Sequence, residues 1–159
     1  MADAQVSTAE LQGLDLFAGQ PEADLRDLAA AARRRRLSDR EVLATRGERS
    51  TAVAWVVSGR VTLSVEHEGR AVLVMTLGPG DMLGWSMLRE DPTALTTARA
   101  SGPTEIIEVP ADRLEEALTN CTPTARVLVR RIIGIAASDL DATRMQLLRL
   151  GREGVITAG

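Results

Sequence analysis

Three features of the sequence predict a mainly β fold: a jelly roll with flanking helices, closed by one long C-terminal helix. Between residues 37 and 109, short segments rich in Val, Leu and Thr are punctuated by glycines at Gly47, Gly59, Gly69, Gly78, Gly80, Gly84 and Gly102. Strands joined by tight turns read this way. Outside that stretch the apolar residues switch to helical spacing, and one such pattern, over 123–150, far outruns the others. The chain has 159 residues, 45% hydrophobic and 26% charged, enough for one domain with its own core.

The same composition bounds function. Net charge is -3, and all 19 basic side chains are arginines, so no global basic field points to direct nucleic-acid binding. No apolar run reaches the roughly 18–20 residues of a bilayer span, and Met1–Gln5 is no export signal. A single cysteine, Cys121, excludes an internal disulfide and a cluster held by several thiolates. A cytoplasmic, membrane-free protein is expected.

Taken in order, residues 1–34 are expected to form N-terminal helices. Leu11, Leu14 and Phe17 fall at helical spacing behind a Ser7/Glu10 capping box, and Pro21 opens a second helix carrying Leu25, Leu28 and Ala32. The run Arg33–Arg36 reads as a solvated helix end or an edge strand, because cations are favoured at a helix C-terminus. Residues 35–110 form the jelly roll, with strands at Ala54–Val57, Val61–Val65, Ala71–Leu77 and Glu105–Val109. Ser58-Gly59 is a tight turn and His67-Glu68-Gly69 a hairpin tip. His67 is the sole histidine, and its glutamate neighbours alternate across the strand, so no metal is expected there.

Residues 111–150 hold the C-terminal helices, a short one over 111–118 and, after the Asn120–Pro123 break, the long one over 123–150; residues 151–159 are a tail. Val129, Ile133, Ala136, Leu140, Thr143, Leu147 and Leu150 recur four and three residues apart, as in the seam of a helix pair. A helix of about 28 residues is about 42 Å long, longer than the sandwich beside it needs. The expected partner is a second copy of the chain, a homodimer, with packing on its own domain alone as the alternative.

Candidate binding chemistry gathers at 78–100. Gly78-Pro-Gly80 leads through Gly84 into a short apolar helical turn, and Pro92–Ala100 returns to an extended strand. Small residues at a helix start are how backbone N–H groups make an anion cradle. No nucleophile–base pair, paired acids or Walker-type loop is present, so no enzyme activity and no cofactor are expected. Cys121 has no base beside it in sequence.

These pieces resemble the cyclic-nucleotide-binding domain family, in the style of the effector domains of bacterial catabolite-activator-type regulators. Leu14-Asp-Leu-Phe17, Gly47-Glu48, Val56–Val61, Leu77–Gly84, Ala98-Arg-Ala100 and the strand Glu105–Val109 carry the resemblance, which runs from about Leu11 to Leu150. It implies a phosphate-binding cassette in which a Glu takes the ribose hydroxyl and an Arg neutralises the cyclic phosphate. Gly84 matches the cassette glycine. Trp85 stands in the place of the Glu, Ala94 in that of the Arg, and Leu95 where a Ser or Thr usually follows.

A charge-assisted contact is worth about 1.5–3 kcal/mol, so losing both anchors argues against cAMP or cGMP in the usual mode. Nearby, Arg99 is expected to point away from the pocket and Arg89 to face water. The expected pocket has walls from Leu63, Val74, Met75, Leu83, Gly84, Trp85 and Ser86. Met87, Leu88, Ala94, Leu95, Thr96 and Thr97 complete them, with Leu140 of the long helix as an apolar lid. Such a pocket either takes an uncharged ligand stacked on Trp85 or has collapsed around that ring, and self-filling is the simpler use of a Trp.

In the family's transcription factors a helix-turn-helix domain follows the long helix, and Gly151–Gly159 is too short for one. A stand-alone sensor module is therefore expected, acting through a non-nucleotide ligand or a protein partner. The alternatives are a nucleotide effector domain separated from its DNA reader, and a structural dimer with a closed pocket.

Overall fold

A computed structural model describes residues 4–153, except the side chains of Met87 and of residues 150–153. Its strands are β1 (Ala4–Gln5), β2 (Arg33–Leu37), β3 (Val42–Ala44), β4 (Ala52–Ser58), β5 (Val61–His67), β6 (Arg70–Leu77), β7 (Met82–Leu83), β8 (Thr97–Ala100) and β9 (Thr104–Pro110). Helices α1 (Thr8–Gln12) and α2 (Glu22–Ala31) precede most of them, and α3 (Ala111–Thr119) and α4 (Pro123–Glu153) follow. Two antiparallel sheets, ordered β1-β2-β9-β4-β7 and β3-β8-β5-β6, face each other. The fold is mainly β with flanking helices, as the glycine-punctuated stretch predicts.

The central strands explain why their sequences look continuously apolar. On β4, Val53 and Trp55 join the core beneath the helices, while Ala54 and Val56 join the core between the sheets. On β9, Ile107 and Val109 face the helices and Ile106 faces the other sheet. Both faces of these strands are covered, so alternation separates two cores rather than core from water. Phe17 tilts against Trp55 with ring centroids 5.2 Å apart, a favourable aromatic geometry.

Two glycines set corners. Gly59 has φ +81°, and a Cβ there would lie 2.5 Å from the Pro103 carbonyl. At the hairpin tip Glu68 (φ 50°) and Gly69 (φ 72°) are both left-handed, the two-residue turn that matches strand twist.

Several expectations change. The stripe Leu11, Leu14 and Phe17 is buried, but α1 ends at Gln12. Beyond it Leu14 N–H bonds to Leu11 O, Phe17 N–H to Leu14 O and Gln20 N–H to Phe17 O. A spacing of three is thus met by successive tight turns. The capping box forms, with Glu10 N–H donating to Ser7 Oγ and Ser7 N–H to Glu10 Oε2 at 2.8 Å.

Residues 1–34 are not purely helical, because β1 pairs with Arg33 and Arg34 at the start of β2. The arginine run is not an edge strand, and of its four arginines Arg33 and Arg36 are exposed while Arg34 and Arg35 are half-buried. β2 lies between β1 and β9, with Arg34 paired to Glu10 and Glu105 and Arg35 to Glu41 and Glu108. Arg33 does serve a helix end, donating to the Ala30 and Ala32 carbonyls at 2.7 Å. Carboxylates on β9 and its neighbours supply what a run of like charge lacks. That partnership is invisible in local sequence.

Helix α4 packs Leu128 and Ile132 into the core. Arg131 donates to the Asp15, Leu16 and Ala18 carbonyls at 2.8–3.1 Å, pinning the turns after α1. Among the described residues no helix is long and apolar enough to cross a membrane.

Candidate functional site

The site is built where β7 ends. β7 is held on β4 by the pairs Ala54/Leu83 and Trp55/Met82, and the chain then turns at Gly84, whose φ is +90°. A Cβ here would lie 2.9 Å from the Ala52 carbonyl, so glycine alone lets the backbone pass this close to β4. A single 3₁₀ turn, Trp85–Leu88, follows. The return segment is tied to the 45–50 loop by Ala94 N–H to Glu48 O (2.9 Å), Gly47 N–H to Ala94 O (2.8 Å) and Ser50 N–H to Pro92 O (2.9 Å).

Between the turn, β5, β6, β8 and α4 lies a cavity of about 170 Å³. Of the sequence-predicted residues, Leu63, Val74, Met75, Leu83, Gly84, Trp85, Ser86, Ala94, Leu95 and Thr96 line it. Leu88 instead packs against the core beneath the helices. Thr97 is turned to the 45–50 loop, where its Oγ1 accepts from Arg46 N–H at 3.1 Å. The Met87 side chain lies outside the described residues. Trp85 forms part of the wall, so the cavity has not closed around it.

The helix supplies other residues than expected. Leu140 is 51% exposed and lines no part of the cavity; Asp139 and Thr143 do. The inward stripe of α4 runs Leu128, Ile132, Ile135 and Asp139, so an apolar lid at Leu140 is out of phase by one residue, about 100° of helix rotation. Thr143, expected in the dimer seam, faces the cavity, and its Oγ1 donates to the Asp139 carbonyl at 2.9 Å. Ala44, Met82 and Ala98 also line it and escaped the sequence reading. Ala98 shares its strand face with Ala100, both buried between the sheets; Ala44 carried no signal.

Among the described residues one polar side-chain contact joins cassette to helix: Trp85 Nε1–H donates to Asp139 Oδ2 at 2.8 Å. Burial pushes the Asp139 carboxyl above its ordinary value; the indole bond opposes this, and the Asp81 charge adds to it. A second depression, of about 340 Å³, shares Met75, Met82 and Asp139 with the first and reaches Asp15 and Asp81. Arg89 is exposed, in the wall of a separate polar depression with Arg49, and Arg99 donates to the Arg40 carbonyl at 3.1 Å. Neither reaches the cassette cavity.

The seam residues divide. Val129, Ile133, Leu140 and Leu147 are 39–62% exposed on one side of α4. Ala136 is half-buried, and the Leu150 side chain lies outside the described residues.

The sandwich, the glycine-led turn and the helix across its mouth are the architecture of a cyclic nucleotide-binding domain. The model of the cyclic nucleotide-binding domain matches residues 34–121, more than half of the chain, and the chain belongs to that family. Among solved structures it is similar to a cyclic nucleotide-binding domain from Methylobacillus flagellatus KT (14% identity, 99% of this chain and 90% of that one, TM-score 0.79). It is also similar to the sensor domain of the transcriptional regulator DNR from Pseudomonas aeruginosa (20% identity, 80% and 91%, TM-score 0.68). A third is a cyclic nucleotide-binding-like protein from Brucella abortus (29% identity, 70% and 97%, TM-score 0.59). Comparison with curated proteins gives no match.

Proposed function

We propose that this chain is a non-catalytic, cytoplasmic sensor module whose cassette takes a small ligand other than cAMP or cGMP, and that it acts as a homodimer joined along α4. The observation that carries the reading is the wall of the cavity. Trp85 and Ala94 stand where the family's Glu and Arg would, and the one ionisable side chain among the described lining residues is the Asp139 carboxylate. A cyclic phosphate placed there meets an acid and no counter-cation.

The route from ligand to output is the Trp85–Asp139 bond. It makes the cassette turn and α4 move together, so a ligand that shifts the turn shifts the helix. The exposed stripe from Val129 to Leu147 supports a second copy as the partner, because apolar side chains in line on one helix face gain most by pairing. The open cavity speaks against a purely structural dimer with a filled site. Direct nucleic-acid binding is disfavoured by the net charge of -3.

Thermal unfolding with and without millimolar cAMP, cGMP and cyclic dinucleotides tests the reading. A ligand at 100 times its Kd adds about 2.7 kcal/mol, a few degrees for a domain of this size. No shift with cAMP or cGMP is expected. A clear shift with either sinks it.

A further inference from the structure

We propose that the cassette cavity selects small ring compounds that are neutral or cationic, bearing an N–H that donates to Asp139, and that it rejects anions. The proposal rests on the cavity being a ligand site and adds the chemical class of the ligand. Size is the first observation. An apolar cavity of about 150 Å³ holds a benzene ring, so the cavity here, about 170 Å³, suits one ring or two fused ones. A purine with its ribose and phosphate would extend beyond that space into the open mouth.

Charge is the second. Asp139 lies in both this cavity and the adjoining depression, where Asp15 and Asp81 join it, and no described residue lining either is an arginine or histidine. An anion entering meets the half-buried Asp139 carboxylate, with the exposed Asp15 and Asp81 charges beside it, whereas a cation is drawn in.

The third observation is two unused polar groups. Trp85 engages Oδ2 of Asp139 at 2.8 Å, and Oδ1 accepts no bond from a described residue and is not sealed from solvent. Ser86 is 8% exposed and lines the cavity, and its hydroxyl likewise has no partner among the described residues. No buried side-chain polar atom among the described residues lacks a partner, so this hydroxyl is open to the cavity rather than sealed off. It stands ready to bond a polar atom on the ring. Trp85 itself demonstrates the chemistry, since the group now seated on Asp139 is an indole N–H.

A matched series tests this: indole, tryptamine and indole-3-acetate share one ring and differ in charge. Each is titrated into the full chain alongside cAMP, with binding followed by nuclear magnetic resonance of the Trp85 indole N–H. Tryptamine is expected to bind about ten- to a hundredfold more tightly than indole-3-acetate, with indole between them. Asp139→Asn keeps an acceptor for Trp85, and in that variant the preference for the cation is expected to vanish. Ser86→Ala should weaken indole itself about threefold or more.

Equal affinity for anion and cation, a preference that survives Asp139→Asn, or no binding by any of the three overturns the proposal. Binding of cAMP in the same titrations would instead overturn the reading beneath it. Indole binding without a charge preference would leave that reading standing.

Discussion

Two apolar stripes run along α4, and the chain itself uses only one. Leu128 is fully buried and Ile132 nearly so, whereas Ile133, one residue on, is 62% exposed and Leu147 is 60% exposed. The buried stripe continues to Asp139, which reaches Trp85, and the exposed stripe continues to Leu147. One helix thus offers a face turned to the core and cavity and a face that stands exposed. Helical periodicity reveals both stripes but not which points inward, because that depends on what stands opposite.

The sharpest way to break this comparison is to cut each stripe separately. Leu128→Ala should cost about 2–5 kcal/mol in denaturant unfolding. Leu140→Asp should leave the fold within about 0.5 kcal/mol yet convert a dimer to a monomer in sedimentation. A dimer unchanged by that substitution would remove the exposed stripe as the pairing surface.

Smaller effects sharpen the cassette end. Gly84→Ala forces a side chain onto a left-handed backbone against the Ala52 carbonyl, and should cost about 1–3 kcal/mol. Trp85→Phe keeps an aromatic ring but removes the pyrrole half of the indole together with the donor to Asp139. A loss of about 1 kcal/mol is expected, with α4 exchanging its amide hydrogens faster near Asp139. If exchange there is unchanged, the bond does not couple turn to helix.

Titration gives the smallest effects, and two groups pull in opposite directions. Glu10 is held at about 2, first by the Ser7 backbone N–H, then by the Ser7 hydroxyl and Arg34. Its folded value lies below the unfolded one, so its stabilisation is present above 4.5 and is lost as pH falls towards 2. Asp139 is raised in the fold, mainly by burial. Its ionisation therefore costs stability as pH rises past its unfolded value, and acid relieves that cost. Against wild type, Glu10→Gln should lose stability at neutral pH and show a shallower decline in acid, and Asp139→Asn should remove the opposite slope. Urea melts from pH 2 to 7 read both.

Much of the fold is legible in the sequence, because glycine corners, a capping box and β-branched runs act locally. Gly59, Gly69 and Ser7 do in the structure what their neighbours in sequence imply. The arginine run was harder to read. Its partners Glu105 and Glu108 lie some seventy residues away, on the neighbouring strand.

At the site, Gly84, Trp85 and Ala94 stand out because a family pattern gives them positions to depart from. Asp139 does not. It sits one residue from Leu140 on a helix with two apolar stripes, and only the Trp85 ring opposite shows which of the two faces the cavity.

The cassette cavity is lined by apolar and small side chains and one acid, and the proposed function requires that it take no cyclic phosphate. Isothermal titration of the full chain with cAMP tests it most directly. No saturable heat up to millimolar nucleotide is expected. Saturable binding with a micromolar or lower Kd would contradict it, because some group other than Trp85 and Ala94 would then have to hold the phosphate.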